Sequence, residues 1–177
     1  MFLWHIGATT AFIRYAFRDP AMDLRFLALG AIVPDLIDLP IGIAFWSSFQ
    51  TPRLAGHSLG FGAICMALVL ILTRRGTRRK AWMLFAVGIL LHLFLDAMWR
   101  GPETLWWPLL GTSFAATPFD TYGAYVRNLV SDPVMWAGEL AGFVYLMLLA
   151  RKSTLGDKDI RRSLYRSGRV SAPIGRT

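Results

Sequence analysis

Only one cysteine, Cys65, occurs in the 177 residues, so no disulfide can form within the chain. That thiol lies in an apolar run and leaves the redox compartment open. Charge is scarce as well. Charged residues make up 17% against 55% hydrophobic, and the mean hydropathy is +0.45. A soluble domain ordinarily carries more charge and less apolar surface, so that class is excluded. No basic stretch precedes Met1–Phe2–Leu3, and His5 interrupts the apolar run behind it. A cleavable signal peptide therefore does not fit. There is no internal repeat, which excludes solenoids. No stripe of alternating basic and aromatic residues accompanies the net charge of +8, so nucleic acid is not the expected partner. Histidine is limited to His5, His57 and His92.

What the chain does have is hydrophobic segments. Five are read, at about 2–17, 24–47, 55–73, 81–99 and 132–150. The fourth, at 19 residues, makes about 28 Å of helix, just enough to cross a bilayer. The first is short and must tilt, thin the bilayer or enter it only in part. Residues 104–118 are apolar but too short to cross. They read as a re-entrant or interfacial piece, with Trp106 and Trp107 at headgroup level. Seven tryptophans in so short a chain also suit a membrane interface.

Basic residues set the orientation. The linker 74–80 holds five, the segment after residue 150 holds eight, and Arg14, Arg18 and Arg25 mark the first turnaround. Together these are sixteen of the nineteen Lys and Arg residues. Arg53, Arg100 and Arg127 fall on the other side. The expected fold is an all-α, polytopic membrane bundle of about five segments, with the N-terminus outside and the C-terminus cytoplasmic. Residues 1–150 form the embedded domain. Residues 151–177 mix Ser, Gly, Pro and basic residues, and read as a disordered cytoplasmic tail. That tail either meets anionic lipid or simply anchors the topology.

Ionisable groups inside apolar segments are costly and usually functional. Here they are the three histidines with Asp35, Asp38, Asp96 and Glu139. In this orientation His5 and His57 lie at the outer ends of their segments. Asp96 and His92 lie about 5 and 10 Å below the outer end of theirs. All three histidines thus come to one side. His92 and Asp96 are spaced i, i+4 and Asp35 and Asp38 i, i+3, so each pair shares a helix face. Imidazole and carboxylate together suit a divalent metal: zinc first, with manganese or iron as alternatives. The competing reading is a His–Asp hydrogen bond that ties helices together. A straight segment two would bury Asp35 roughly 18 Å deep. Pro34 and Pro40 therefore predict a helix broken near them, lining a polar cavity. Glu139 has two readings, a general base or ligand and a structural polar contact. Arg53 has two as well, a grip on an anionic substrate and a headgroup contact.

Residues 56–60 read GHSLG and fit the G-x-S-x-G nucleophile elbow. The elbow needs a strand before its serine, and its usual order puts a histidine later. A membrane helix follows here, and no histidine follows His92. Ser58 reads instead as a helix N-cap.

In order, His5, GAIVPDLID around Asp35 and Asp38, Arg53 with His57–Ser58, HLFLD from His92 to Asp96, Gly101 and Trp107–Pro108 resemble a known family. It comprises bacterial inner-membrane proteins classed as metal-dependent hydrolases, some of them LexA-regulated (YdjM-like). The resemblance covers about residues 5–110. It implies a metal held by His5, Asp35, Asp38, His57, His92 and Asp96. The chain departs at one place, where the family often has a His-Arg pair and this chain has Pro52–Arg53. That removes one ligand which a second ion would need. The His-x-x-x-Asp element is also similar to one in helical zinc phospholipases C and nucleases, which implies phosphoester hydrolysis.

The leading expectation is a multi-pass hydrolase of the inner membrane, acting on a lipid-like or phosphoester substrate at the outer side. Asp38, Arg53 and Glu139 are its candidate catalytic residues, with Asp38 as a general base. Membrane lipid is the expected partner. The alternatives are a non-enzymatic protein passing protons or metal ions, and a structural envelope protein.

Overall fold

The computed structural model describes residues 2–19, 22–153 and 157–170. Ten α-helices follow one another: α1 (Phe2–Phe17), α2 (Leu24–Gly30), α3 (Val33–Ala44), α4 (Trp46–Phe49), α5 (Leu59–Leu72), α6 (Thr77–Leu95), α7 (Pro102–Leu105), α8 (Tyr122–Val130), α9 (Pro133–Lys152) and α10 (Lys158–Ser167). Short 3-10 turns cover Ala55–His57 and Met98–Arg100. No strand occurs among the described residues.

Helix starts follow local chemistry. Asp23, Ser58, Thr121 and Asp132 cap α2, α5, α8 and α9, each accepting a backbone N–H from its own first turn. Pro133 opens α9, and Arg151 and Lys152 close it against the negative helix end. The helix break expected near Pro34 and Pro40 falls at Ala31–Ile32. Pro34 has no N–H to give the carbonyl four residues back, so the chain turns and restarts as α3. Pro40, in contrast, is carried inside α3 without ending it.

By length and composition, Leu24–Ala44 and Pro133–Lys152 are long and apolar enough to cross a membrane, and Leu59–Leu72 is a shorter apolar helix. Large apolar side chains point outward along these helices, among them Ile64, Ile71, Leu72, Trp136 and Leu140. So large an exposed apolar surface calls for lipid or a partner.

Helix α1 packs on α9, while α2 and α5 pack on α6. Glycines set the closeness of two crossings. A Cβ on Gly142 would lie 2.2 Å from the Leu3 carbonyl oxygen, and one on Gly30 would lie 2.0 Å from that of Phe85. Only a bare Cα lets these backbones approach so closely. Away from the histidines, Ile13, Met22, Leu24, Leu27 and Val170 form a buried apolar cluster.

The segment expected to be a disordered tail contains α10, and the segment folds back onto the bundle. Leu164 packs against the apolar cluster, and Val170 is buried in it. Leu24 N–H donates to the Gly168 carbonyl (2.9 Å) and Arg14 to that of Val170 (3.3 Å). Arg25 donates to the Tyr165 carbonyl. Composition alone suggested disorder, but Leu164 and Val170 supply apolar contacts that offset the ordering entropy. Tail residues 154–156 and 171–177 lie outside the described residues.

Gly142→Val should lower stability in detergent by about 1–3 kcal/mol or more, because its side chain meets backbone that cannot give way. Gly123→Ala on α8 meets nothing within 4 Å and should leave the melting temperature unchanged. Thermal unfolding of both variants checks this pair.

Candidate metal centre

Four segments bring side chains to one point: α1 with His5, α3 with Asp35 and Asp38, the turn before α5 with His57, and the end of α6 with His92 and Asp96. Asp38 organises the turn. Buried within it, the carboxylate accepts from Leu54 N–H (2.7 Å), Gly56 N–H (3.0 Å) and His57 N–H (3.0 Å). Its Oδ2 also lies 2.7 Å from His57 Nδ1. Gly56 is needed here, since a Cβ on it would lie 2.8 Å from Asp38 Oδ1. At the foot of the same turn Ser58 Oγ donates to the Ala55 carbonyl (2.7 Å) and accepts from Phe61 N–H (3.0 Å). Ser58 is thus the α5 cap and is not placed as a nucleophile.

The partners dictate the tautomers. His57 Nδ1 faces a carboxylate, and His92 Nδ1 faces the Ala31 carbonyl at 2.7 Å. Both partners accept only, so both Nδ1 atoms carry hydrogen and donate. In the neutral rings this leaves each Nε2 with a lone pair. These two atoms face each other at 3.2 Å. Asp35 Oδ1 lies 3.4 Å from His57 Nε2 and 3.7 Å from His92 Nε2, and Asp96 Oδ2 lies 3.8 Å from His57 Nε2. One ligand atom from each of Asp35, His57, His92 and Asp96 falls within 4.8 Å of all the others. Two nitrogens held by one tetrahedral zinc at its usual bond length would sit about 3.3 Å apart. Asp35, Asp38 and Asp96 bring three carboxyl groups against the one guanidinium of Arg53, an oxygen-rich donor set that suits a divalent cation. The donor set therefore fits a divalent metal ion, without selecting which one.

The surrounding residues orient this group. His5 Nε2 lies 3.0 Å from Asp96 Oδ1, and its ring stacks on His92 with centroids 4.2 Å apart. Arg53 Nε donates to Asp96 Oδ2 at 2.7 Å. Partial burial opposes the Arg53 charge, but the Asp96 carboxylate holds its pKa above the ordinary arginine value. Both histidines of the group are fully buried, whereas the Asp35 side chain is 21% exposed. Beside the group lies a cavity of about 810 Å³ lined by Asp96, Arg53, Arg100, Thr104 and Met135 among others.

Several expected site residues stand outside the four-residue group. Asp38, read as a ligand, a residue supporting the ligands or a general base, stands behind His57, its oxygens engaged by backbone N–H groups and the imidazole. It is a positioning residue. Glu139 lies away from the group and accepts from Leu3 N–H (3.2 Å) and Trp4 N–H (3.5 Å), satisfying the first turn of α1. His5 contacts Asp96 and His92 and lies outside the four-residue set. Sequence reasoning missed Tyr125, on α8, whose phenol is raised by burial and feels the charges of Arg53, Asp96 and Asp35. It also missed the Ala31 carbonyl, which orients His92. Neither carries a sequence signal, since a lone tyrosine and a backbone oxygen fit no motif.

The family described as YdjM inner membrane protein matches residues 3–166 of this chain. No curated protein matches it, and no solved structure does.

Asp38→Asn should weaken zinc binding about 10–100-fold, because it disturbs the partner that orients His57. Glu139→Gln should leave the affinity unchanged. Competition titration against a chromogenic chelator, with melting curves as a folding check, tests both.

Proposed function

The chain belongs to the YdjM inner membrane protein family, and we propose that it is a metal-dependent hydrolase embedded in that membrane. The observation that carries this reading is the pair of Nε2 atoms facing each other at 3.2 Å beside Asp35 and Asp96, at the edge of a large cavity. Beside these nitrogens the Asp35 and Asp96 carboxylates complete a donor set of the size and chemistry that a divalent ion takes. The proposed ion is zinc, held by Asp35, His57, His92 and Asp96. When bound, it supplies Lewis acidity and acidifies a water near neutral pH.

The other residues of the site have separable roles. Asp38 holds His57 in the tautomer that leaves Nε2 available. The Ala31 carbonyl does the same for His92. His5 and Arg53 hold the two oxygens of Asp96 from opposite sides. Arg53 and Arg100 line the cavity together with Asp96 and Asp132, so it offers two guanidiniums as anion contacts, one of them already engaged by Asp96. An anionic phosphoester or lipid-like substrate fits those contacts, and the planar fork of Arg53 suits phosphate.

The proposed topology has five crossings, with the N-terminus outside and the C-terminus cytoplasmic. The bias of Lys and Arg toward one set of connections supports the orientation, and two helices long and apolar enough to cross, with the shorter Leu59–Leu72, supply part of the crossings. The metal site then faces the outer side. Ion or proton passage is less well supported. It needs a continuous polar path to the other end, and although Thr9, Thr10 and Arg14 of α1 are buried beyond His5, the fully buried Ile13, Leu27 and Ile89 are apolar.

Elemental analysis of detergent-purified protein should find about one equivalent of a transition metal. His92→Ala and Asp35→Ala should lose it while staying folded. Hydrolysis of a model phosphodiester should fall at least about 100-fold in both variants. A folded wild-type protein that takes up no metal on reconstitution would sink the proposal.

A further inference from the structure

The far end of the bundle holds a second cavity, of about 680 Å³. Thr77, at the start of α6, lines it, which places it about 22 Å along the helix from His92. Its wall is apolar, built from Ile13, Phe17, Phe26, Met83, Leu84 and Val87. Its rim is basic, with Arg25, Arg78, Lys80, Arg166 and Arg169 set against the acids Asp19 and Asp23. Asp23 is already engaged by Arg25, through Nε (2.9 Å) and Nη2 (2.7 Å). The other acid of the lining is Asp19, against the four cations Arg78, Lys80, Arg166 and Arg169. These cations come from two separate parts of the chain, the first turn of α6 and the α10 region. They meet here only because α10 folds back on the bundle.

We propose that this cavity binds one anionic phospholipid, with its phosphate at the basic rim and its acyl chain along the apolar wall. Charge complementarity selects this occupant. A zwitterionic lipid would bring its own ammonium against the surplus of cations. A free phosphate would leave the apolar wall uncovered. Helix α10 suits the interface, since its sequence KDIRRSLYRS carries four basic residues while Leu164 packs on the core. The bound lipid would tie α10 to α6 and to the α1–α2 connection. The proposal needs the bundle to lie in a membrane, but neither the metal nor hydrolysis.

Native mass spectrometry of the full chain in detergent, with equimolar phosphatidylglycerol and phosphatidylcholine, tests it. The wild type should retain one phosphatidylglycerol, preferred about tenfold or more. The Arg78→Gln/Lys80→Gln/Arg169→Gln variant should lose that preference. An Arg74→Gln/Arg75→Gln variant, which removes cations that do not line the cavity, should keep it. Melting temperature and metal content serve as folding checks, so failure here is distinguishable from failure of the metal site. Equal retention of the two lipids by the wild type overturns the proposal even if the triple variant does not fold. Equal loss in both variants overturns it too, as general charge attraction. Displacement of the lipid by inorganic phosphate alone would assign the rim to a soluble anion instead.

Discussion

The Asp38 carboxylate, buried among three backbone N–H groups and one imidazole, is the contact on which the site depends. It does two things at once. It closes the turn between α4 and α5 by accepting from the Leu54, Gly56 and His57 N–H groups. It also fixes which nitrogen of His57 carries hydrogen. A buried carboxyl group needs hydrogen-bond partners, and Asp38 finds them in Leu54, Gly56 and His57, 16 to 19 residues along the chain. His57 then has one orientation available, and its free nitrogen points at His92.

His92 is set by an analogous device of a different kind. The break between α2 and α3 leaves the Ala31 carbonyl available to the imidazole across the helix interface. The Gly30 crossing brings α2 close enough to α6 for that bond to form. Backbone irregularity is tolerated inside a membrane bundle only where its polar groups find partners, and here the partner belongs to the site. The same interface therefore serves packing and chemistry. At the opposite end of α6, the basic rim collects from the α6 start and α10, so one helix carries a polar site at each end and apolar contacts between them.

Much of this was legible in the residues themselves. The apolar segments overlap α1, α5, α6, α9 and the α2–α3 pair, because long apolar runs form helices in an apolar surrounding, and Pro34 marks the one that is broken. Ser58 reads as a cap because a serine ahead of an apolar run satisfies the orphan N–H groups of a helix start. The i, i+4 spacing of His92 and Asp96 placed both on one face, and the structure has both in the cluster. Other features were not legible. Asp35 and Asp38 share spacing and chemistry, yet Asp35 faces His92 while Asp38 turns to the Leu54–His57 turn. Their division of labour depends on what packs beside α3. Glu139 left two readings open, a chemical role and a polar contact between helices, and only packing shows that its neighbour in space is the first turn of α1, more than a hundred residues away. The segment after residue 150 looked disordered because composition does not report where Leu164 and Val170 land.

The sequence by itself determined the helical character, the apolar segments, the bias of positive charge and the inventory of ionisable groups that have to be satisfied. These follow from local chemistry and from the cost of leaving polar groups unpaired in an apolar medium. Tertiary structure alone decided which groups face one another. It made Asp35, His57, His92 and Asp96 a cluster, assigned Asp38 and His5 to hold it, sent Glu139 to cap α1, and folded α10 over the far cavity. The physical reason is range. Hydropathy and capping act over one or two helical turns, whereas a coordination-sized cluster depends on helix crossings and turns that join residues from positions 5 to 96.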